Sequence, residues 1–308
     1  MSKDEPASAG FFIFLKNTQL YKSCMKILMI ALSSIIFFTS CQREESDTET
    51  TPAKEQTLTN ISYGTDARQN MDIYLPANRS ASSTNVIILI HGGAWLEGDK
   101  SDFAGYITTL KQRLPGYAIF NINYRLAINN LNPFPAQEMD VKQAIEFING
   151  KTGEYAVSKN FALLGASAGG HLALLHAYKY ESPVKIKAVV DFFGPTDLIA
   201  LYNISPNPLI KPLLESITGG TPSTRAEVYE QASPVNFITA QAPPTLILQG
   251  GLDVVVDASQ SVLLKNALQQ AGVQHQYVFY SMEGHGWTGA NLTDSFEKIE
   301  AFLKAYMP

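Results

Sequence analysis

Two apolar patterns alternate along the chain, and their order predicts its architecture. Residues 58–63 and 71–75 alternate apolar and polar positions as an antiparallel strand pair does, around a turn at Gly64-Thr65-Asp66. The pair is expected at a sheet edge. Residues 86–90, 117–122, 161–164, 186–192 and 245–248 are instead nearly continuous apolar runs, the mark of parallel strands covered on both faces. A further strand is expected at 274–280. Helical spacing lies between them: Val141, Ala144, Ile145 and Ile148 repeat within 135–148, and 258–268 and 295–306 behave alike. This alternation predicts an α/β fold, a doubly wound and mostly parallel sheet. Residues 198–231 break the rhythm with prolines and the pair Gly219-Gly220, and read as a short cap insertion between two strands.

Composition adds size and partner class. With 308 residues, 45% hydrophobic and 17% charged, the chain can bury a full-sized core, and one globular domain is expected over 58–308. A net charge of −5 without any long Lys/Arg run argues against a nucleic acid partner. The residues ahead of that domain follow another pattern. Lys26 supplies a positive start and 27–38 an apolar stretch too short to span a bilayer, so 25–40 read as an export signal peptide. It ends in Phe38-Thr39-Ser40-Cys41, which is similar to the lipobox of bacterial lipoproteins. Cys41 is therefore the expected lipid anchor to a membrane, with a plain secretory signal as the other reading. Residues 41–57, rich in Glu, Thr and Ser, suit a solvated tether. Gln42-Arg43-Glu44-Glu45 carries the acidic pair of some surface-export signals, which points to an exported lipoprotein of the cell envelope, at the outer membrane. Residues 1–24 form an N-terminal extension, with Met25 a competing start. The two cysteines are Cys24 and Cys41; removal of one and acylation of the other leave none for a disulfide or a thiolate metal site.

Gly165-Ala166-Ser167-Ala168-Gly169 follows the run 161–164 directly and opens a helical stretch at 171–175, the setting of a nucleophile elbow. So sharp a turn leaves no room for large side chains and lifts the serine oxygen clear of the sheet. A plain strand-to-helix turn is the alternative. A serine hydroxyl is a poor nucleophile near neutral pH and needs an imidazole to take its proton. His285, in a Gly284-His285-Gly286 loop after the last strand, can reach it; His91, His171, His176 and His275 read as packing or surface residues. The orienting carboxylate belongs between serine and histidine, past a strand end, where Asp253 stands. Asp257 is its rival but fits a helix N-cap, and Glu283 is too near His285 in sequence to bond it easily. His91-Gly92-Gly93-Ala94-Trp95 follows the run 86–90, where a loop of oxyanion donors belongs, and Gly93, Ala94 and Ala168 are the candidate N–H groups. Trp95 and Trp287, beside these loops, are candidate substrate contacts.

From about residue 58 to the end, the chain resembles the carboxylesterase and hormone-sensitive-lipase-like branch of the α/β-hydrolases, especially bacterial acetyl xylan and feruloyl esterases. Residues 91–95, Asn123-Tyr124-Arg125-Leu126 with Phe134-Pro135-Ala136-Gln137, 165–170, and Asp253 with His285 carry the likeness. The resemblance implies the α/β-hydrolase fold and Ser167, Asp253 and His285 as the triad, without a metal or organic cofactor. Gln249 departs from it where a histidine often stands, and Val256-Asp257 replaces a frequent Val-Pro. The implied reaction is acyl transfer from a short-acyl (acetyl-type) or feruloyl ester, of a small molecule or an oligosaccharide. An amidase similar to arylformamidases is the alternative, since those enzymes also carry a His-Gly-Gly loop before the same elbow. A non-catalytic surface-binding lipoprotein would keep the fold and lack an activated serine.

Overall fold

The continuous apolar runs become the middle of an eight-stranded sheet. The computed structural model describes residues 53–308, apart from 130 and 182; Cys41, the signal and most of the tether lie outside the described residues. The strands are β1 (Gln56–Ser62), β2 (Asn70–Leu75), β3 (Val86–Ile90), β4 (Ala118–Ile122), β5 (Phe161–Ala166), β6 (Ile186–Phe192), β7 (Thr245–Gly250) and β8 (His275–Tyr280). Their order is β1-β2-β4-β3-β5-β6-β7-β8. β1 pairs antiparallel with β2, and β2 with β4, while every pair from β4 through β3 to β8 is parallel. Every residue of β3 and β4 is buried, whereas edge strand β1 is mostly exposed, with only Leu58 and Ile61 half-buried on either side of an irregularity that breaks the expected alternation.

Nine helices complete the described domain: α1 (Ala104–Arg113), α2 (Ala136–Gly150), α3 (Thr152–Tyr155), α4 (Ala168–Lys179), α5 (Leu198–Ile204), α6 (Ile210–Thr218), α7 (Ala226–Gln231), α8 (Ser259–Gln270) and α9 (Gly289–Tyr306). The sheet separates two apolar layers. Val141 and Ala144 of α2, Leu172 and Leu175 of α4 and Leu264 of α8 fill one, and Ile107 and Leu110 of α1 with Phe296 and Ile299 of α9 fill the other. Helices on both faces make the fold doubly wound, as the alternation predicts.

Two expectations need correction, and one helix is absent from the sequence pattern. Helix α1, the crossover between β3 and β4, escapes the sequence pattern because only Ile107 and Leu110 of its ten residues are buried. Helix α9 starts six residues before 295, through a polar stretch with no apolar stripe of its own. The domain also begins ahead of 58: β1 starts at Gln56, Lys111 pairs with Glu55 at 2.6 Å, and Arg79 donates to the Lys54 carbonyl. The cap region resolves into α5, α6 and α7, with Asp197 capping α5 through the Ala200 N–H at 2.9 Å. Among the described residues, no helix is long and apolar enough to cross a membrane. Because β3, β5, β7 and β8 run parallel, the loops that leave their carboxyl ends gather along one edge of the sheet.

Candidate active site

The loop after β5 turns at Ser167, whose φ of 55° and ψ of −122° no ordinary strand or helix adopts. Such a conformation costs on the order of 1–3 kcal/mol and persists only where the surroundings impose it. Here the Ser167 N–H donates to the Phe192 carbonyl at 2.8 Å, and the His171 N–H donates to the Ser167 carbonyl at 3.0 Å. A side-chain carbon on Gly165 would overlap the Gly169 carbonyl, and one on Gly169 would overlap that of Ile90, so the elbow admits nothing larger at either position.

The other loops bring two side chains to the serine. His285 Nε2 lies 2.8 Å from Ser167 Oγ, and His285 Nδ1 lies 2.7 Å from Asp253 Oδ2. The Asp253 side chain is fully buried, and its Oδ1 accepts the N–H groups of Val255 at 2.8 Å and Val256 at 2.9 Å. These bonds aim the carboxylate, so the imidazole is held with Nδ1 towards the acid and Nε2 towards the serine. Asp257 is not part of this chain: its Oδ1 accepts the Ser259 N–H at 2.9 Å, and α8 has Ala258 in the N-cap position, so Asp257 steadies the turn ahead of the helix. Glu283 is engaged by Asn291 Nδ2 at 2.6 Å.

The loop after β3 runs beside the serine. A side-chain carbon on Gly92 would stand 3.3 Å from Ser167 Cβ. Gly93, Ala94 and Trp95 have φ of 103°, 50° and 61°. Among the described residues no acceptor takes the Gly93 or Ala94 N–H, and Ala168, the first residue of α4, has no intrahelical acceptor for its own. Three donors thus remain for an oxyanion. Tyr124 Oη donates to the His91 carbonyl at 3.0 Å, and its ring stacks on His91 at 4.2 Å. His91 Nδ1 lies 2.7 Å from the Gly92 carbonyl and so carries the proton, while burial pulls the pKa down to about 4 and keeps the ring neutral. Arg125 clasps the fully buried Asp140 at 2.6 Å, which fixes the 123–126 segment under this loop.

Neither tryptophan presents itself to a substrate. Trp95 is 3% exposed and its Nε1 donates to His171 Nδ1 at 3.2 Å; Trp287 is 7% exposed and its Nε1 donates to Ser295 Oγ at 2.9 Å. An indole is large and apolar, and its single N–H finds a partner in the interior. The ring that does meet the site is Phe193, 4.5 Å from the His285 imidazole and backed by Trp287 at 5.4 Å.

Two polar residues at wholly buried strand positions have roles that sequence reasoning does not reveal. Gln249 Nε2 donates to Asp253 Oδ2 and to the Val256 carbonyl, both at 3.3 Å, and its Oε1 accepts Ser261 Oγ–H at 2.8 Å. It supports the acid from the end of β7. Asp191 Oδ1 accepts the Gly194 N–H at 3.0 Å in the turn that carries Phe193, and burial pushes its pKa up to about 7. A polar side chain inside an apolar strand was the available signal for both.

The BD-FAE family profile matches residues 71–268. The chain is 33% identical over 228 residues to the probable carboxylic ester hydrolase LipM of Mycobacterium tuberculosis (strain ATCC 25618 / H37Rv), covering 70% of this chain and 52% of that one. It is 27% identical to the esterase LipC of the same organism, over 79% of this chain and 64% of that one. The chain thus spans about half to two thirds of the length of these curated relatives. A solved structure of a truncated carbohydrate esterase from gut microbiota superposes with a TM-score of 0.71 at 26% identity, over 82% of this chain and 96% of that one. The chain belongs to the BD-FAE family and has the α/β-hydrolase fold.

Proposed function

We propose that the chain is a serine carboxylic ester hydrolase that works through an acyl-enzyme on Ser167. The observation that carries this reading is the continuous hydrogen-bond chain from Ser167 Oγ through His285 to the buried Asp253, beside three N–H groups without an internal acceptor. The names of LipM and LipC support the same chemistry.

Ser167 Oγ attacks the ester carbonyl carbon as its proton passes to His285 Nε2, and Asp253 stabilises the imidazolium through Nδ1–H. The carbonyl oxygen becomes an oxyanion facing the N–H groups of Gly93, Ala94 and Ala168, each contributing on the order of 3 kcal/mol to lowering the barrier. Collapse of the intermediate breaks the C–O bond, and the alcohol leaves with the proton from Nε2. Water then adds to the acyl carbon, giving a proton to Nε2. The second collapse releases the acid and returns that proton to Ser167.

The substrate in this reading is a short-acyl (acetyl-type) or feruloyl ester of a small molecule or an oligosaccharide. The cap of three short helices, α5 to α7, supports a small acyl group, and the carbohydrate esterase of similar fold supports a glycan alcohol. The lipobox-like end at Cys41 supports a lipid anchor, and the acidic pair Glu44-Glu45 supports export to the outer membrane, where such a hydrolase would meet extracellular polymers. Loss of labelled palmitate in Cys41→Ala tests the anchor.

A fluorophosphonate probe should label the parent chain and not Ser167→Ala. The same variant should lose on the order of 10⁴ to 10⁶-fold in kcat on p-nitrophenyl acetate. Near-normal turnover in Ser167→Ala would overturn the reading. Acetylated xylan oligomers, feruloyl esters and N-formylkynurenine, assayed side by side, would separate the ester classes from the amidase alternative.

A further inference from the structure

The oxyanion loop holds a shape its own backbone resists. Ala94 and Trp95 are consecutive non-glycine residues at positive φ, a region that costs each on the order of 1 kcal/mol or more. Contacts from outside the loop must therefore hold it. Tyr124 grips the His91 carbonyl at one end, and the Ala127 N–H donates to the Trp95 carbonyl at 2.9 Å at the other. A further tie is the buried Trp95 indole, whose N–H ends on His171 Nδ1.

His171 joins three parts of the site. It stands four residues after Ser167 in the first turn of α4, with its N–H on the Ser167 carbonyl. Its imidazole is fully buried, with the Trp95 ring edge-on at 5.0 Å, and its Nε2 lies 2.6 Å from the Ala232 carbonyl, just past the last cap helix. An indole N–H can only donate and a carbonyl can only accept, so both bonds form only when the ring is neutral and protonated at Nε2. Burial favours that state by lowering the pKa to about 4.

We infer that His171 is a positioning residue, a neutral imidazole that ties the oxyanion loop, through Trp95, to the nucleophile helix and to the exit of the cap at Ala232. The inference rests on the reading of Ser167 as nucleophile. No proton of the reaction passes through His171; it acts by keeping the Gly93 and Ala94 N–H groups aimed. Those groups meet a full negative charge only in the transition state, so loosening them lowers kcat and leaves KM nearly unchanged.

Trp95→Phe keeps a buried aromatic ring and deletes the N–H together with part of the ring's volume, which the urea midpoint registers. It should lower kcat about tenfold with KM within about twofold, the effect of one lost buried hydrogen bond. His171→Leu should lose at least as much. His171→Gln, whose amide accepts through oxygen and donates through nitrogen, should regain most of it. Urea midpoints follow folding in parallel. The chain has two tryptophans, so nitrogen-15 spectra give a readout independent of turnover: His171→Leu should shift the Trp95 indole resonance and leave that of Trp287 in place. An unmoved Trp95 resonance, kcat within about twofold of the parent in both Trp95→Phe and His171→Leu, or no recovery in His171→Gln would each overturn the inference. Full activity in Ser167→Ala would instead sink the catalytic reading beneath it, while the indole spectrum would still report on the tie itself.

Discussion

Asp191→Asn should gain stability relative to the parent chain as pH rises. Asp191 lies on β6 between Gly165 of β5 and Ile247 of β7, fully buried, with Oδ1 on the Gly194 N–H and Oδ2 without a partner. Burial raises its pKa from the usual 3.8 to about 7, against the smaller opposing pull of the Gly194 bond. Between those values the folded chain holds a proton that the unfolded chain has released. Stability therefore falls as pH rises from about 4 to about 7 and is flat beyond. A pKa raised by about three is worth about 4 kcal/mol. Asparagine is neutral throughout and keeps an oxygen for Gly194. Its unpaired amide hydrogens carry a cost, but the same cost at every pH, so the pH dependence isolates the carboxylate. In urea unfolding, the variant's advantage over the parent should be about 3 kcal/mol greater at about pH 8 than at about pH 4.5. An equal difference at the two pH values would show that Asp191 does not hold its proton in the folded chain.

Further substitutions probe the acid loop and the cap. Asp253→Asn should lose roughly 10⁴-fold in kcat, because the amide favours the wrong imidazole tautomer, whereas Asp257→Ala should cost about 1 kcal/mol of stability at most. Steady-state kinetics and urea midpoints on both variants check this, and the reverse pattern would transfer the acid role to Asp257. Gln249→Leu removes a donor to Asp253 and the acceptor of Ser261, and should destabilise by about 1–3 kcal/mol as well as lower kcat. A variant as stable and as active as the parent would strip Gln249 of any supporting role. For p-nitrophenyl esters, kcat/KM should be highest from acetyl to butyryl and fall by octanoyl, since a small cap cannot supply the roughly 0.8 kcal/mol that each buried methylene is worth. Better turnover of decanoyl than of acetyl esters would contradict the short-acyl reading.

Much of this was legible in the residues themselves. The runs 86–90 and 186–192 match β3 and β6 to the residue, because a strand covered on both faces must be apolar almost throughout and its ends show as a change of polarity. Ser167, His285 and Asp253 were legible because the chemistry admits few residue types and the parallel sheet admits few places for them. Partners across the fold were not. Trp95 and Trp287 resembled substrate contacts because they adjoin reactive loops, yet both are buried, and whether an aromatic faces a cleft or the core depends on layers built from distant segments. Gln249 and Asp191 bond groups only four and three residues further on, and what the sequence hid there was the complete burial that makes those bonds matter. Local periodicity and turn sterics act over a few residues, so the sequence alone settled which elements form and where the small-residue elbow lies. A hydrogen bond such as Trp95 to His171 joins residues 76 apart, and only the closed tertiary structure, in which every buried donor needs an acceptor, decided it.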